Sequence, residues 1–372
     1  MAHRGGGRVR IAVANRVENR AVFRQRRACP ARQPARRAKA DEQRRVHDAA
    51  HLLERALPGA LVLDVNYIGS SSRHLLSGDG PGGENYNRFA GDLLDGVLDR
   101  LNPSFSTVGL AESRIDARYH GLALQASRRY RNGFAFQTAY TVGKAMDYAG
   151  VAEEVTNLER EWGPAAYDIR HSFKMNAIWE IPFHSDSKAI EYALGGWQLN
   201  GITVYQSGSP FSVTCSLAYP RCDFNADGQT GDRVNVSRTD LGSPTEAQWL
   251  AGVLTAADYS LPATGTLAAQ PRNVFRGPGY FNTDLSFLKN FPVPSRGMHQ
   301  ARIQLRGEVL NVFNKAHLAN PSSNTASATF GQVTSVRRDP RVVQLGARFI
   351  FWRAPVAKWC AMTFMAVVRS RM

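Results

Sequence analysis

The chain has 372 residues, of which 43% are hydrophobic, and this is enough apolar material for a sizeable core. Its formal net charge is +15 at pH 7, but residues 1–50 carry 14 Arg and Lys against 4 Asp and Glu, so the basicity is concentrated at the front. The remainder is only slightly basic, which argues against a nucleic-acid-binding domain. No run approaches the roughly 18 apolar residues of a transmembrane helix.

Residues 1–50 are rich in Arg and Ala and poor in aromatic residues, and they show no sustained apolar periodicity. They also lack the apolar core of a secretory signal peptide. Such a composition does not bury enough apolar surface to order itself. We therefore interpret residues 1–50 as a disordered or artefactual basic segment, with a basic arm and a nucleic-acid contact as the alternatives.

From residue 51 to residue 351 the dominant pattern is alternation of apolar and polar side chains. Phe281 and Leu285, for example, alternate with Asn282 and Asp284. Because successive side chains of a strand point to opposite faces, this period of two predicts β-strands with one apolar and one polar face. About eight strands are predicted, at residues 60–69, 117–130, 134–143, 169–182, 196–207, 280–289, 300–311 and 341–351.

The connections between these strands fall into two kinds. Asn132-Gly133 predicts a tight hairpin turn, because Asn and Gly accept the positive φ that such a turn needs. Residues 69–106 and 214–272 are rich in Gly, Ser, Asp and Pro and predict long exposed loops, with short helices near residues 90–101 and 245–254. Long loops at one end and tight turns at the other are typical of outer-membrane barrels.

Apolar and polar faces on one strand fit a wall with lipid on one side and water on the other. The sequence therefore predicts an all-β, antiparallel transmembrane β-barrel, and one that is partial. The alternative is a soluble or surface-attached β-sandwich that binds carbohydrate or protein, in which the same apolar face is buried between two sheets. The residues that distinguish the two are large apolar side chains, which face outward in a barrel and inward in a sandwich: Phe134, Phe136, Tyr140, Phe173, Trp179, Phe281, Phe287 and Phe349.

Residues 222–234 contain the first half of a calcium-loop pattern. Asp223, Asn225 and Asp227 stand at alternate positions before Gly228, which matches the hard oxygen ligands and the turn glycine of such a loop. The twelfth position is Val instead of the bidentate Glu, and Asp232 is the candidate substitute. The alternative is a polar loop in which Asp and Asn stabilise turns.

The remaining chemistry-bearing residues are few. Cys215 and Cys222 are close enough in sequence to form a disulfide in an oxidising compartment, although two unrelated thiols are equally compatible with the spacing. Asp168, His171 and Ser172 suggest a catalytic triad, but adjacent residues of a strand point in opposite directions, so His171 and Ser172 cannot pair. We expect no enzymatic activity and no cofactor apart from the possible calcium ion.

Several segments occur in an order that resembles the C-terminal barrel of TonB-dependent outer-membrane transporters, in particular the Oar-like group. They are YHGLALQASRRYRNGFAFQTAYTVGKAMD, YDIRHSFKMNAIWEIPF, GGWQLNGITVYQSGSPFSV, RGPGYFNTDLSFLKNF, RGEVLNVFNKAHLANP and FGQVTSVRRDPRVVQLGARFIF. The resemblance covers roughly residues 51–351. Members of the family end at an aromatic residue of the final strand, which Phe351 matches, so residues 352–372 read as a C-terminal extension.

The resemblance implies a barrel of about 22 strands with a plug domain and a TonB box, located in the outer membrane of a Gram-negative bacterium. Only about eight of those strands are predicted here, and we recognise no plug and no TonB box. We therefore expect a fragment of a receptor that is not transport-competent by itself. Its expected partners are outer-membrane lipid, the rest of the receptor, and the TonB system in an intact receptor, with no nucleic acid.

Overall fold

The structure is a computed structural model, and it describes residues 44–77, 85–87, 101–105, 108–109, 112–148, 153–154, 157–217, 221–225, 229–293, 299–338, 340–352 and 359–369. Of the predicted basic segment 1–50, residues 1–43 lie outside the described part, while residues 44–50 belong to a strand instead of a disordered segment. The helix expected near residues 90–101 also lies outside the described part, apart from Leu101 in a bend. None of the helices within these ranges is long and apolar enough to cross a membrane.

The described residues form fifteen strands. They are β1 Arg44–Leu57, β2 Leu61–Ser77, β3 Glu112–Arg131, β4 Phe134–Asp147, β5 Gly163–Pro164, β6 His171–Glu180, β7 Trp197–Gln206, β8 Pro210–Phe211, β9 Asn235–Val236, β10 Tyr259–Ser260, β11 Phe275–Arg276, β12 Tyr280–Pro292, β13 His299–Leu310, β14 Val342–Trp352 and β15 Trp359–Arg369.

The ten long strands lie in one antiparallel sheet, in the order β1-β2-β3-β4-β6-β7-β12-β13-β14-β15, and β5 pairs with the end of β4. All eight predicted strands are present in this sheet. The count of eight is too low, because β1 begins at Arg44 and β15 extends the sheet beyond β14. Strand β2 also continues to Ser77, so the loop predicted to start at residue 69 begins later.

The hairpin between β3 and β4 turns at the two predicted residues. Asn132 has φ 53° and Gly133 has φ 76°, the left-handed pair that a tight turn with the right twist requires. A side chain at residue 133 would also press on the backbone of Glu180, because an added Cβ would lie 3.0 Å from the Glu180 carbonyl oxygen. The turn thus sets the register of β3 against β4.

The register places the predicted apolar faces of all these strands on one side of the sheet. Residues directly opposite each other in neighbouring strands share a face. Two rows that cross β4, β6, β7 and β12 show this, one near each strand end: Tyr140, Phe173, Tyr205 and Phe281 form the first, and Phe134, Trp179, Leu199 and Phe287 the second.

Within the described residues, no second large sheet covers this apolar face, since the other two sheets have two strands each. Large side chains on the face stay exposed, with Trp179 at 43%, Phe287 at 41% and Leu345 at 57%. A sandwich would bury them between its layers. The single layer therefore matches a barrel wall, and because the sheet remains open between β1 and β15 it is a partial barrel.

Alternating strand directions put the long connections at one end of the sheet and the short ones at the other. The chain leaves the sheet at the first end, which we call the loop end, after β2, β4, β7 and β13. At the second end, which we call the turn end, the chain leaves the sheet after β1, β3, β6, β12 and β14. Residues 181–196 include the seven-residue helix α1, Lys188–Leu194, which the sequence pattern did not predict.

The main hydrophobic core of the described chain lies at the loop end and not in the sheet. The described residues between 210 and 276, most of which fall in the predicted loop 214–272, pack around Val213, Val234 and Phe275, each at most 1% exposed. We call this part the loop-end body. It contains the short pairs β8–β11 and β9–β10 and the predicted helix, observed as α2, Glu246–Ala251.

Candidate functional site

The apolar face of the sheet is the first candidate functional surface, and two Tyr–His pairs lie on it. The Tyr140 hydroxyl lies 2.8 Å from Nδ1 of His171, and the Tyr67 hydroxyl lies 2.6 Å from Nδ1 of His120. Such pairs satisfy polar atoms that would otherwise be costly beside an apolar solvent. With aromatic side chains near both strand ends, the face has the features of a lipid-contacting wall.

Lys289 is a charged residue on the same face that sequence reasoning did not single out. It sits opposite Trp197 and is 1% exposed. Its ammonium donates to the carbonyl oxygens of Ala193, at 3.1 Å, and of Gly195. Its nitrogen also lies 5.6 Å and 5.2 Å from the ring centroids of Trp197 and Phe291. The sequence signal that could have identified it is a lysine at a strand position where the alternation predicts an apolar side chain.

The opposite face carries the polar and charged residues that the alternation assigned to it. Lys174, Asn176 and Glu180 lie on this face of β6, and all three are exposed. On β13, Arg306 and Glu308 form an ion pair. A wall with lipid on its apolar side would expose this polar side to water.

A buried ion network at the loop end is the second candidate site, and it joins segments distant in sequence. Arg233 donates from both terminal nitrogens to the carboxylate of Glu161, at 2.9 and 2.6 Å, and also pairs with Glu153 at 2.8 Å. The side chains of Arg233 and Glu161 are 5% and 1% exposed. Burial raises the pKa of Glu153 despite the attraction of Arg233. One guanidinium thus holds two carboxylates of residues 153–161 against the loop-end body.

Further ion contacts tie the loop-end body to the sheet. Asp168 is 1% exposed; its carboxylate accepts from the backbone N–H of Ala145 at 2.6 Å and pairs with Arg170 and Arg276. Arg272 pairs with Asp147, the last residue of β4. These contacts anchor the body on the rim of the sheet.

The three residues that suggested a triad do not assemble one. Asp168 is engaged with the two arginines, while His171 lies opposite Val142 and Ser172 opposite Thr141, so the two side chains are on opposite faces. His171 contacts Tyr140 on the apolar face. The predicted alternation of these two neighbours is confirmed.

The calcium-loop residues are only partly assembled in the described chain. One oxygen of the Asp232 carboxylate accepts from the backbone N–H groups of Phe224, at 2.6 Å, and Asn225, at 3.1 Å, which is the turn-stabilising use of Asp. The Asn225 side chain donates to the Glu153 carbonyl oxygen, Asp223 is 5% exposed, and Asp227 lies outside the described residues. No metal-binding group of three or more His, Cys, Asp or Glu occurs among the residues described. Calcium binding stays a prediction.

Cys215 and Cys222 form a disulfide, with their Cα atoms 5.2 Å apart. Both are buried in the core of the loop-end body, next to Phe224 and Val213. The bond closes the segment that carries Asp223 onto the segment that follows β8. Such a bond persists in oxidising compartments, which include the periplasm and the cell surface.

His317 holds residues 311–341 against the polar face of β12. It is 2% exposed, its Nε2 lies 3.3 Å from the Asn282 side-chain oxygen, and its ring packs on Tyr280 at 4.6 Å. Burial lowers its pKa, and the charges of Arg338 and Lys315 lower it further. His317 is therefore neutral in the folded protein at neutral pH.

Comparison with known proteins gives one match. A family model described as an outer membrane beta barrel domain covers residues 30–344, which is most of the chain. No curated protein and no solved structure matches the chain.

Proposed function

This chain belongs to the family of outer membrane beta barrel domains, and from that premise we propose that it is part of the barrel of a TonB-dependent transporter of the Oar-like group. In this proposal it provides wall strands and a loop-end body for ligand binding or transport, without enzymatic chemistry. Its location is the outer membrane of a Gram-negative cell.

The observation that carries the proposal is the open sheet. Ten long strands, each 10 to 20 residues long, form a continuous wall. In the described part of the chain, β1 and β15 each pair on one side only. Unpaired backbone N–H and C=O groups cost several kcal/mol each in lipid, roughly, so such an edge needs further strands. A wider barrel completed by the rest of a receptor supplies them.

The loop-end body supports a receptor more than a small structural barrel. Long outer loops carry ligand contacts in large outer-membrane barrels. Here the loops are folded around their own core, joined to Glu153 and Glu161 by Arg233, and fixed to the rim by Arg272 and Arg276. We propose lipid, the missing strands and a plug as its partners, and the TonB system as partner of the assembled receptor.

Two measurements test the proposal. Sequencing full-length transcripts across Met1 should reveal an upstream reading frame that encodes a plug, a TonB box and further strands. Expression of the chain with those upstream strands should give a protein that resists extraction from outer membranes by urea, whereas the chain alone should insert but be extracted at a lower urea concentration. A transcript without such a frame, together with a chain that inserts stably alone, would refute membership of a TonB-dependent receptor.

A further inference from the structure

Helix α1 is held on the apolar face of the sheet at its turn end. The carbonyl groups of Ala193 and Gly195, at the end of the helix, accept from Lys289, and the Trp197 indole nitrogen donates to Ala193 at 3.3 Å. The ring of Tyr192 packs on Phe291, with 5.3 Å between centroids. Lys289, Trp197 and Phe291 all lie on the apolar face, so α1 lies on that side of the wall and not on the polar side.

The helix leaves most of its apolar surface uncovered. None of its residues is buried, and Ile190 is 47%, Tyr192 53% and Leu194 53% exposed. Ile190 and Leu194 are four residues apart, so they lie on one face of the helix. Isolated helices shorter than roughly 12–15 residues are at best marginally stable in water. The seven-residue helix α1 must therefore be stabilised by contacts outside the helix.

Because α1 packs on Trp197 and Phe291, its exposed residues adjoin the lipid-contacting face of the sheet. Trp179 and Ile181, at the end of β6 just before the α1 segment, are 43% and 36% exposed. Lys188 at the start of the helix is exposed, where a cation can reach lipid phosphate. Short amphipathic helices with this arrangement lie in the plane of a membrane interface.

We propose that α1 is an interfacial helix that lies in the phospholipid leaflet at the turn end of the barrel. Its occupant is phospholipid: Ile190, Tyr192 and Leu194 contact the boundary between acyl chains and headgroups. Lys289 anchors it, because the helix carbonyls and the two rings satisfy an ammonium that would otherwise face hydrocarbon. The helix thereby covers the one lysine buried on this face in the described residues.

The test measures, by quenching of a fluorescent probe, whether α1 contacts lipid. Cys29 and Cys360 are replaced by Ala, the Cys215–Cys222 disulfide is kept, and single cysteines are introduced by Ile190→Cys or Leu194→Cys and labelled with an NBD dye. The full chain is reconstituted in phosphatidylcholine and phosphatidylglycerol vesicles, with or without lipids that carry a nitroxide quencher near the headgroup or along the acyl chain.

Two matched positions serve as controls. Asp186→Cys labels an exposed residue just before α1, and Leu345→Cys labels an exposed residue of the apolar face. We expect the probes at residues 190 and 194 to be quenched several times more strongly than the probe at residue 186. Quenching at residue 345 with none at 190 and 194 would overturn the proposal and leave the membrane-spanning wall intact. An unquenched probe at residue 345 would overturn both.

A second variant tests the anchor. Lys289→Met removes the ammonium that holds the carbonyls of Ala193 and Gly195, and quenching of the probe at residue 190 should fall towards that at residue 186. Lys174→Met, which removes an exposed lysine of the polar face, should leave the quenching unchanged. Equal quenching in both variants would refute the anchoring role of Lys289.

Discussion

An arginine placed on either side of the same strand tests which face of the wall meets lipid. Met175 and Asn176 are neighbours in β6; Met175 lies on the apolar face between Thr138 and Thr203, and Asn176 lies on the polar face. Both are exposed, and Met175 is 36% exposed. Met175→Arg would place a guanidinium in hydrocarbon, and Asn176→Arg, the matched control, would place it in water.

The expected magnitude follows from the position of Met175 along the strand. It stands two residues from Phe173 and four from Trp179, or about 7 Å and 13 Å at the rise of a strand. A strand tilt of about 40° reduces these to roughly 5 Å and 10 Å of membrane depth. Arginine costs about 2–4 kcal/mol at the bilayer midplane and less near an interface, so we expect about 2 kcal/mol for Met175→Arg. This corresponds to roughly a 30-fold change in the folding equilibrium.

The assay is urea unfolding of the protein in phospholipid vesicles, followed by tryptophan fluorescence, with equal slopes required for a valid comparison. Asn176→Arg should stay within about 0.5 kcal/mol of the parent protein, as exposed substitutions usually do. A cost for Asn176→Arg equal to that for Met175→Arg would show that lipid does not distinguish the two faces. A negligible cost for Met175→Arg would refute the assignment of the apolar face.

Three further changes act on the loop end. Arg233→Met leaves the carboxylate of Glu161 buried without its partner and should cost about 3–5 kcal/mol at pH 7 in hydrogen-exchange protection of the loop-end body. Glu153 also loses the attraction of Arg233, and burial already raises its pKa, so the folded variant binds a proton more tightly than the unfolded chain and the loss should shrink as pH falls towards about 4.3; a pH-independent loss would contradict this. For His317 the pH dependence has the opposite sign, because its lowered pKa means that the unfolded chain takes up the proton first as pH falls. Hydrogen-exchange protection of residues 311–341 should therefore fall as pH drops below about 6.5, and His317→Gln should abolish that dependence. Replacing Cys215 and Cys222 by Ser should cost about 2.4 kcal/mol in the same measurement, from the loop-closure entropy of the seven-residue separation, and no change would mean that the core holds this loop without the bond.

The strands that could be predicted are those whose two faces meet different solvents. In β12, Phe281 and Leu285 alternate with Asn282 and Asp284, so the pattern itself shows the strand and its orientation. Strand β1 has no such alternation, and β15 has a nearly continuous apolar run, WCAMTFMAVV. Period-two analysis therefore missed both edges of the sheet.

The loop-end body could not be predicted, because its contacts join residues far apart in the sequence. The side chain of Gln270 accepts from the N–H of Val213 and donates to the carbonyl oxygens of Val213 and Val234, at separations of 57 and 36 residues. The local composition of the loop-end body, rich in Gly, Pro, Thr and Asp, indicates only turns. The helix α2 was foreseeable, and Thr245 caps it by accepting from the Gln248 N–H.

The candidate site likewise contains features that the sequence could predict and features that it could not. The alternation of His171 and Ser172 followed from strand geometry, and the Cys215–Cys222 pair followed from spacing, although spacing alone left the bond undecided. The ion network of Arg233 with Glu161 joins residues 72 positions apart, and no local pattern indicates it. Charged residues in a loop are ordinarily solvated, so only the fold shows which of them are buried.

The directions of the two edge strands limit how this wall can become a closed cylinder. Strand β1 starts, and strand β15 finishes, at the loop end, so the two edges are antiparallel to each other. Strands that complete the circle while keeping the up-and-down alternation must therefore be even in number, whether they come from the same polypeptide or another. An odd complement would force two parallel neighbours at the seam.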